Sequence, residues 1–149
     1  MCTGIIEWSE VLPVKKYKKP LPSMSVWSAP FWEGCKREEL LIQKCRDCGT
    51  FIFYPKMYCT NCLSSNLEWI KSRGKGKIYT HMTVYGFQPT EFTEDVPYVV
   101  AVIQLDEGVR MMSNIVNCKE EEVFCNMPVE VVFEKVTKEF TLPKFQPVR

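Results

Sequence analysis

Hydrophobic positions along this chain fall into short alternating runs rather than long helical stripes. From Gly74 onward the period is two. Ile78, Thr80, Met82 and Val84 share one face, and Tyr79, His81, Thr83 and Tyr85 the other. Tyr98 to Leu105 is apolar and rich in β-branched residues, which predicts a buried strand. Asp106-Glu107-Gly108 is a turn, and Val109 to Val116 returns. After Met127-Pro128, the residues Val129, Val131 and Phe133 alternate with Glu130 and Glu134. Five or so strands with short turns and little helix predict a small closed barrel.

Upstream the pattern breaks into shorter pieces. Ser28-Ala29-Pro30-Phe31-Trp32-Glu33 reads as a helix start. Ser28 can cap, Pro30 fits the first turn, and Glu33 suits the positive end of the helix dipole. The helix is expected to reach about Glu39, with Gly34 weakening it and Phe31 and Trp32 packed under a neighbouring element. Leu40 to Lys44 predicts a strand, as do Phe51 to Tyr54, ended by Pro55, and Leu67 to Lys71. Residues 1 to about 26 differ from the rest. Pro13, Pro20 and Pro22 and the run Lys15-Lys16-Tyr17-Lys18-Lys19 oppose compact structure. This segment reads either as a solvated tail or as an arm that orders against a partner through Ile5, Ile6, Trp8, Val11 and Leu12.

With 149 residues, the chain has room for one domain or two small ones sharing a core. At 46% hydrophobic and 25% charged it has an ordinary globular composition, and a net charge of +1 creates no global field that demands nucleic acid. No apolar run approaches the roughly 20 residues of a membrane span. The first residues lack the pattern of a signal peptide, so a cytoplasmic location is expected.

The eight cysteines change the picture, because four of them are grouped. Cys45, Cys48, Cys59 and Cys62 form two Cys-x-x-Cys pairs ten residues apart. Each pair places two thiolates on one tight turn, and two facing turns complete a tetrahedron. Gly49 supplies a residue free to take positive φ after the first pair, and Asn61 tolerates that conformation at the second. Four thiolates leave no position for water or substrate, so the metal is expected to be structural. Zinc is favoured. Iron in a rubredoxin-like site and a redox dithiol remain open. Cys35, Cys118 and Cys125 are expected to be small buried hydrophobes.

No catalytic set is evident. His81 is the single histidine, so a Cys–His or Ser-His-Asp arrangement has only that residue to use. It reads as a structural or partner-facing residue. Gly74-Lys75-Gly76-Lys77 is neither a P-loop nor a dinucleotide fingerprint. It is either a flexible turn or, with Lys71 and Arg73, a basic cluster that meets phosphates. Glu120-Glu121-Glu122 reads as a solvated turn.

Several dispersed motifs, taken in order, resemble the zinc-ribbon, OB-fold acyl-CoA-associated family (domain of unknown function 35 type). They are Phe31-Trp32 followed by Leu41 to Gly49, then Gly74-x-Gly76-x-Ile78-Tyr79, Pro97 to Ala101, Leu105 to Arg110, Met127 to Val131, and Leu142-Pro143-x-Phe145. The chain departs from that pattern at Tyr54-Pro55-Lys56, Thr60 and Leu63, which leaves the metal ligands untouched. The resemblance implies a mainly β fold. Residues 28–71 would be the opening helix and a rubredoxin-like zinc ribbon, and 72–149 a five-stranded OB-fold barrel with a C-terminal segment, while residues 1–27, read as an extended basic arm, lie outside the resemblance. It also implies a non-catalytic subunit that accompanies a thiolase-fold large subunit, with structural Zn2+ and with coenzyme A or acyl-CoA at the interface. Benzoylsuccinyl-CoA is the candidate substrate of such a complex. On this reading Lys56, Arg73, Lys75 and Lys77 are candidate contacts for CoA phosphates, and Tyr54 or Tyr85 would stack on adenine. The competing readings are a single-stranded nucleic-acid-binding module, since ribbons and OB-folds both serve there, and a rubredoxin-like electron carrier.

Overall fold

The computed structural model describes residues 17–87 and 89–149. The apolar anchors expected between Ile5 and Leu12, and Cys2, lie outside the described residues. The opening helix α1 spans Ala29–Lys36, with proline in its first turn. Three short strands follow: β1 (Leu41–Cys45), β2 (Phe51–Ile52) and β3 (Leu67–Lys71). They form an antiparallel sheet in the order β2-β1-β3. The remaining strands are β4 (Lys75–Val84), β5 (Tyr98–Leu105), β6 (Arg110–Ile115), β7 (Pro128–Lys135) and β8 (Thr141–Pro147). They close into a barrel in the order β4-β5-β6-β8-β7. Closure removes the exposed sheet edges that a small open sheet would carry. The closing seam is parallel, with Ile115 registered on Phe145. Among the described residues, no helix is long and apolar enough to cross a membrane.

A single apolar core joins the ribbon to the barrel. Phe31 and Cys35 from α1 and Leu40 and Ile42 from the ribbon are buried with Ile78, Ile103, Val129 and Phe145 of the barrel. Phe31 meets Trp32 and Phe53 edge-on, at ring-centroid distances of 4.9 and 5.5 Å, and Trp32 meets Phe140 at 5.4 Å. These edge-to-face contacts are the favoured aromatic geometry. A second, small cluster of Cys45, Ile52 and Cys59 sits at the ribbon tip.

Several expectations are corrected. The helix stops at Lys36, three residues early, because Glu38 turns to φ 60° and sends the chain into β1. Ser28 makes no cap to the helix. Its hydroxyl is engaged with Ser25, whose backbone N–H donates to Ser28 Oγ at 2.9 Å. Glu33 lies outside the first turn and pairs with Lys36 at 2.9 Å. Gly34 weakens the helix in isolation but is required by packing. A Cβ there would stand 2.7 Å from Leu41 Cγ and 2.9 Å from the Glu39 carbonyl.

The alternation along β4 also fails to run through. A bulge between Ile78 and Thr80 shifts the register against β5. An inserted residue of this kind exchanges the two faces of a strand beyond it. Ile78 is therefore buried opposite Ile103, whereas Met82 is exposed and His81 turns toward the side of the buried Ala101. Of the remaining cysteines, Cys35 is buried as expected, but Cys118 is only half-buried and Cys125 is exposed.

Candidate metal centre and cationic barrel face

The four grouped cysteines converge. Their sulfurs all lie within 4.8 Å of one another, with Cys45 Sγ to Cys62 Sγ and Cys48 Sγ to Cys59 Sγ both at 3.5 Å. Metal–sulfur bonds of roughly 2.3 Å in a tetrahedron imply sulfur separations of about 3.8 Å, so the set fits a divalent cation of zinc's size. One cysteine of each pair is buried, Cys45 and Cys59, and one is exposed, Cys48 and Cys62.

Backbone geometry explains the convergence. Gly49 takes φ 74° and its N–H donates to the Cys45 carbonyl at 2.9 Å, closing the first turn. In the second turn Leu63 takes positive φ, at 62°, in place of Asn61, and its N–H donates to the Cys59 carbonyl at 3.1 Å. The residue that follows each pair therefore carries the left-handed conformation. Asn61 contributes differently, through a backbone N–H that donates to Cys59 Sγ at 3.4 Å.

A side-chain clasp joins the two turns. Asp47, between the first two cysteines, accepts from the Ser64 hydroxyl and, at 2.9 Å, from Asn66 Nδ2. These two bonds hold its carboxyl below the usual range. Arg46 adds an ion pair to Glu68 at 3.0 Å. The hydroxyl and backbone of Thr50 draw the Cys48 thiol down to about 5, which favours a thiolate there. At Cys62 the Ser64 backbone N–H also pulls the thiol down, but hydrogen bonding with Cys48, desolvation, and hydrogen bonding with Cys45 and Cys59 together push it up to about 12. Sulfurs crowded without a positive charge resist ionisation, and a bound cation relieves that resistance.

The basic residues expected at phosphates divide into two places. Lys56 is on the ribbon, where its backbone N–H donates to Gln43 Oε1 at 2.7 Å and its carbonyl accepts from Gln43 Nε2 at 2.9 Å. Arg73, Lys75 and Lys77 are exposed at the start of β4. The Arg73 backbone N–H donates to Glu107 Oε1 at 2.9 Å. Of the aromatics expected near adenine, Tyr54 is 53% exposed and accepts from the Met112 backbone N–H at 3.1 Å, and Tyr85 is 70% exposed.

Two features were missed. One is a cleft of about 470 Å³ where α1, the end of the ribbon and the β6–β8 seam meet, lined by Phe31, Trp32, Phe53, Tyr54, Met112 and Pro143 among others. The other is Arg110, whose guanidinium carbon lies 3.6 Å from the centroid of the Tyr79 ring. Neither is local in sequence. His81 is half-buried and its Nδ1 is buried without a hydrogen-bond partner among the described residues.

Residues 32–68 match the family described as the ChsH2 rubredoxin-like zinc ribbon domain, and residues 69–134 match the ChsH2 C-terminal OB-fold domain. The chain belongs to the ChsH2-type, DUF35 zinc-ribbon and OB-fold family. A DUF35 domain-containing scaffold protein of Methanocaldococcus jannaschii is 39% identical over 110 residues, covering 72% of this chain and 77% of that one. A probable enoyl-CoA hydratase alpha subunit of Thermomonospora curvata is 30% identical over 132 residues, covering 89% of this chain but only 41% of that longer protein. The benzoylsuccinyl-CoA thiolase subunit BbsA of Geobacter metallireducens is 29% identical over 109 residues, covering 71% and 72% of the two chains. Among solved structures, a chain of the Ltp2-ChsH2(DUF35) aldolase superposes with a TM-score of 0.77 at 30% identity, covering 85% of this chain and 98% of that one. The ribbon and barrel expected from the motifs are thus those of the DUF35 family.

Proposed function

We propose that this chain is a non-catalytic, zinc-binding accessory subunit of a thiolase complex. The partner carries the nucleophile and its bases. This chain supplies a metal-pinned wall that shapes the CoA site and stabilises the partner in a cytoplasmic hetero-oligomer. The carrying observation is the apolar cleft at the junction of ribbon and barrel, in a chain whose four-cysteine centre has no open position. Ligand sites favour such junctions, and a closed thiolate shell serves structure rather than turnover. Zinc, when bound, cross-links the two cysteine turns. Asp47 orients those turns, and Phe31 transmits their position to the barrel through the shared core.

The names of the relatives support the acyl-CoA setting. One is a hydratase alpha subunit, one a thiolase subunit, and one a component of an aldolase complex. In this reading Lys56, Arg73, Lys75 and Lys77 meet the CoA phosphates, where ammonium and guanidinium groups pair well with phosphoryl oxygens. The likeness to BbsA makes benzoylsuccinyl-CoA, cleaved to benzoyl-CoA and succinyl-CoA, the first substrate to assay. The test is purification of the tagged full chain from its own cells. The expected result is a stoichiometric thiolase-fold chain in the same particle, lost on Cys45→Ser substitution. Elution of the wild-type chain as a metal-loaded monomer from cells that contain such a thiolase would refute the subunit assignment.

A further inference from the structure

Lys77 of β4, Gln104 of β5 and Arg110 of β6 are successive partners across the barrel ladder, so their side chains share one outer face. Lys77 and Arg110 are exposed. At the bulge beside Lys77, Tyr79 is 50% exposed, and the Arg110 guanidinium lies on its ring at 3.6 Å. At that separation the guanidinium carbon is in van der Waals contact over the ring, which restrains the long arginine side chain while both residues stay exposed. Among the described residues, no carboxylate lies within 4.0 Å of Lys75, Lys77 or Arg110, although seven ion pairs form elsewhere on the surface. Of the acids in the adjoining turn, Glu107 is engaged by the Arg73 backbone N–H. The second and third strands of an OB barrel, here β5 and β6, form the face on which this fold commonly binds its ligands, and β4 borders that face.

We propose that Arg110, spread on Tyr79, is a stacking plate for a purine ring, and that Lys77 and Lys75 receive the phosphates attached to it. Guanidinium planes and aromatic rings both stack on bases. Lys77 stands two interstrand steps from Arg110, about 10 Å at the backbone. That span suits a base at one end and phosphates on its ribose at the other. The ligand chemistry is a phosphorylated purine nucleoside. Its two sources are the nucleotide end of coenzyme A and a single-stranded nucleic acid. The first rests on the acyl-CoA reading above, and a net charge of +1 favours it over a polyanion.

The test is calorimetric titration of the full-length, zinc-loaded chain with adenosine 3′,5′-bisphosphate, with intact coenzyme A and with oligo(dA), at several salt concentrations. The expected result is binding of the bisphosphate and of coenzyme A. Arg110→Ala and Tyr79→Ala each weaken it at least tenfold, and Arg110→Lys fails to restore it. Lys77→Ala weakens it and flattens its salt dependence. Melting curves of the surface variants should match the wild type. Absence of binding by both the nucleotide and the oligonucleotide overturns the proposal, as does affinity within twofold of wild type in Arg110→Ala. If coenzyme A binds but ignores Arg110, the plate is wrong and the acyl-CoA reading stands. If only oligo(dA) binds and needs Arg110, the plate stands and the acyl-CoA reading loses its support here.

Discussion

Replacing Gly76 by alanine tests whether the start of β4 is held as the structure describes. Gly76 pairs with Leu105 of β5 on one side and Val129 of β7 on the other. A Cβ at this position would stand 2.3 Å from the Gln104 carbonyl oxygen and 2.9 Å from Leu105 Cα. Close carbon–oxygen contacts in sheets run near 3.3 Å, so something must move by about 1 Å. The obstructing atoms are backbone, and a shift away from β5 drives β4 into β7. Overpacking of this kind costs typically 1–3 kcal/mol, and backbone obstruction places Gly76→Ala near about 3 kcal/mol. Against a total stability of roughly 5–15 kcal/mol the variant still folds. For a chain of this size the loss corresponds to a melting temperature lower by about 6–12 °C. The assay is thermal melting by circular dichroism with zinc saturating. Gly86→Ala is the control, because a Cβ there meets nothing within 4 Å. It should melt with the wild type. A Gly76→Ala protein that melts within about 2 °C of wild type refutes the close approach of these strands, since even about 1 kcal/mol would be visible.

Three further outcomes are expected. Elemental analysis should find one zinc per chain, lost in Cys45→Ser, and Asp47→Ala should release metal to a chelator roughly tenfold faster, as removal of a ligand-orienting group does. Phe31→Ala should cost about 3–5 kcal/mol in denaturant unfolding, because Phe31 is 4% exposed and lies in the core shared by ribbon and barrel. Burial pushes the Cys35 thiol from an ordinary 9.0 up to about 12. Above pH 9 the unfolded chain therefore loses a proton that the folded chain keeps, and stability falls as pH rises toward 12. Thiol labelling of the folded protein at pH 8 should accordingly modify Cys125 and spare Cys35.

The barrel and the metal knot were legible because both are local patterns. Alternating apolar residues mark strands, and paired cysteines at fixed spacing mark facing turns whatever surrounds them. The errors arise where geometry is set from a distance. Nothing in Lys75 to Val84 announces the bulge that turns His81 inward and Met82 outward, because it is imposed by register with β5. Ser28 has the chemistry of a cap, but its hydroxyl is taken by Ser25. Asn61 has the conformational tolerance, yet the turn puts its left-handed residue one place after Cys62, at Leu63, as it does at Gly49. Arg110 and Tyr79 lie on different strands, and only the ladder β4-β5-β6 brings them together. The basic cluster around Lys75 and Lys77 was visible as charge, but not the aromatic partner beside it.

Reconstitution bears most directly on the accessory-subunit assignment. The thiolase-fold chain from the same genome is assayed for thiolysis of a 3-oxoacyl-CoA, benzoylsuccinyl-CoA first, with and without this chain. The account predicts that activity and a stable complex both require the zinc-loaded chain, and that the chain alone turns over nothing. A thiolase fully active by itself, with no affinity for this chain, would contradict it.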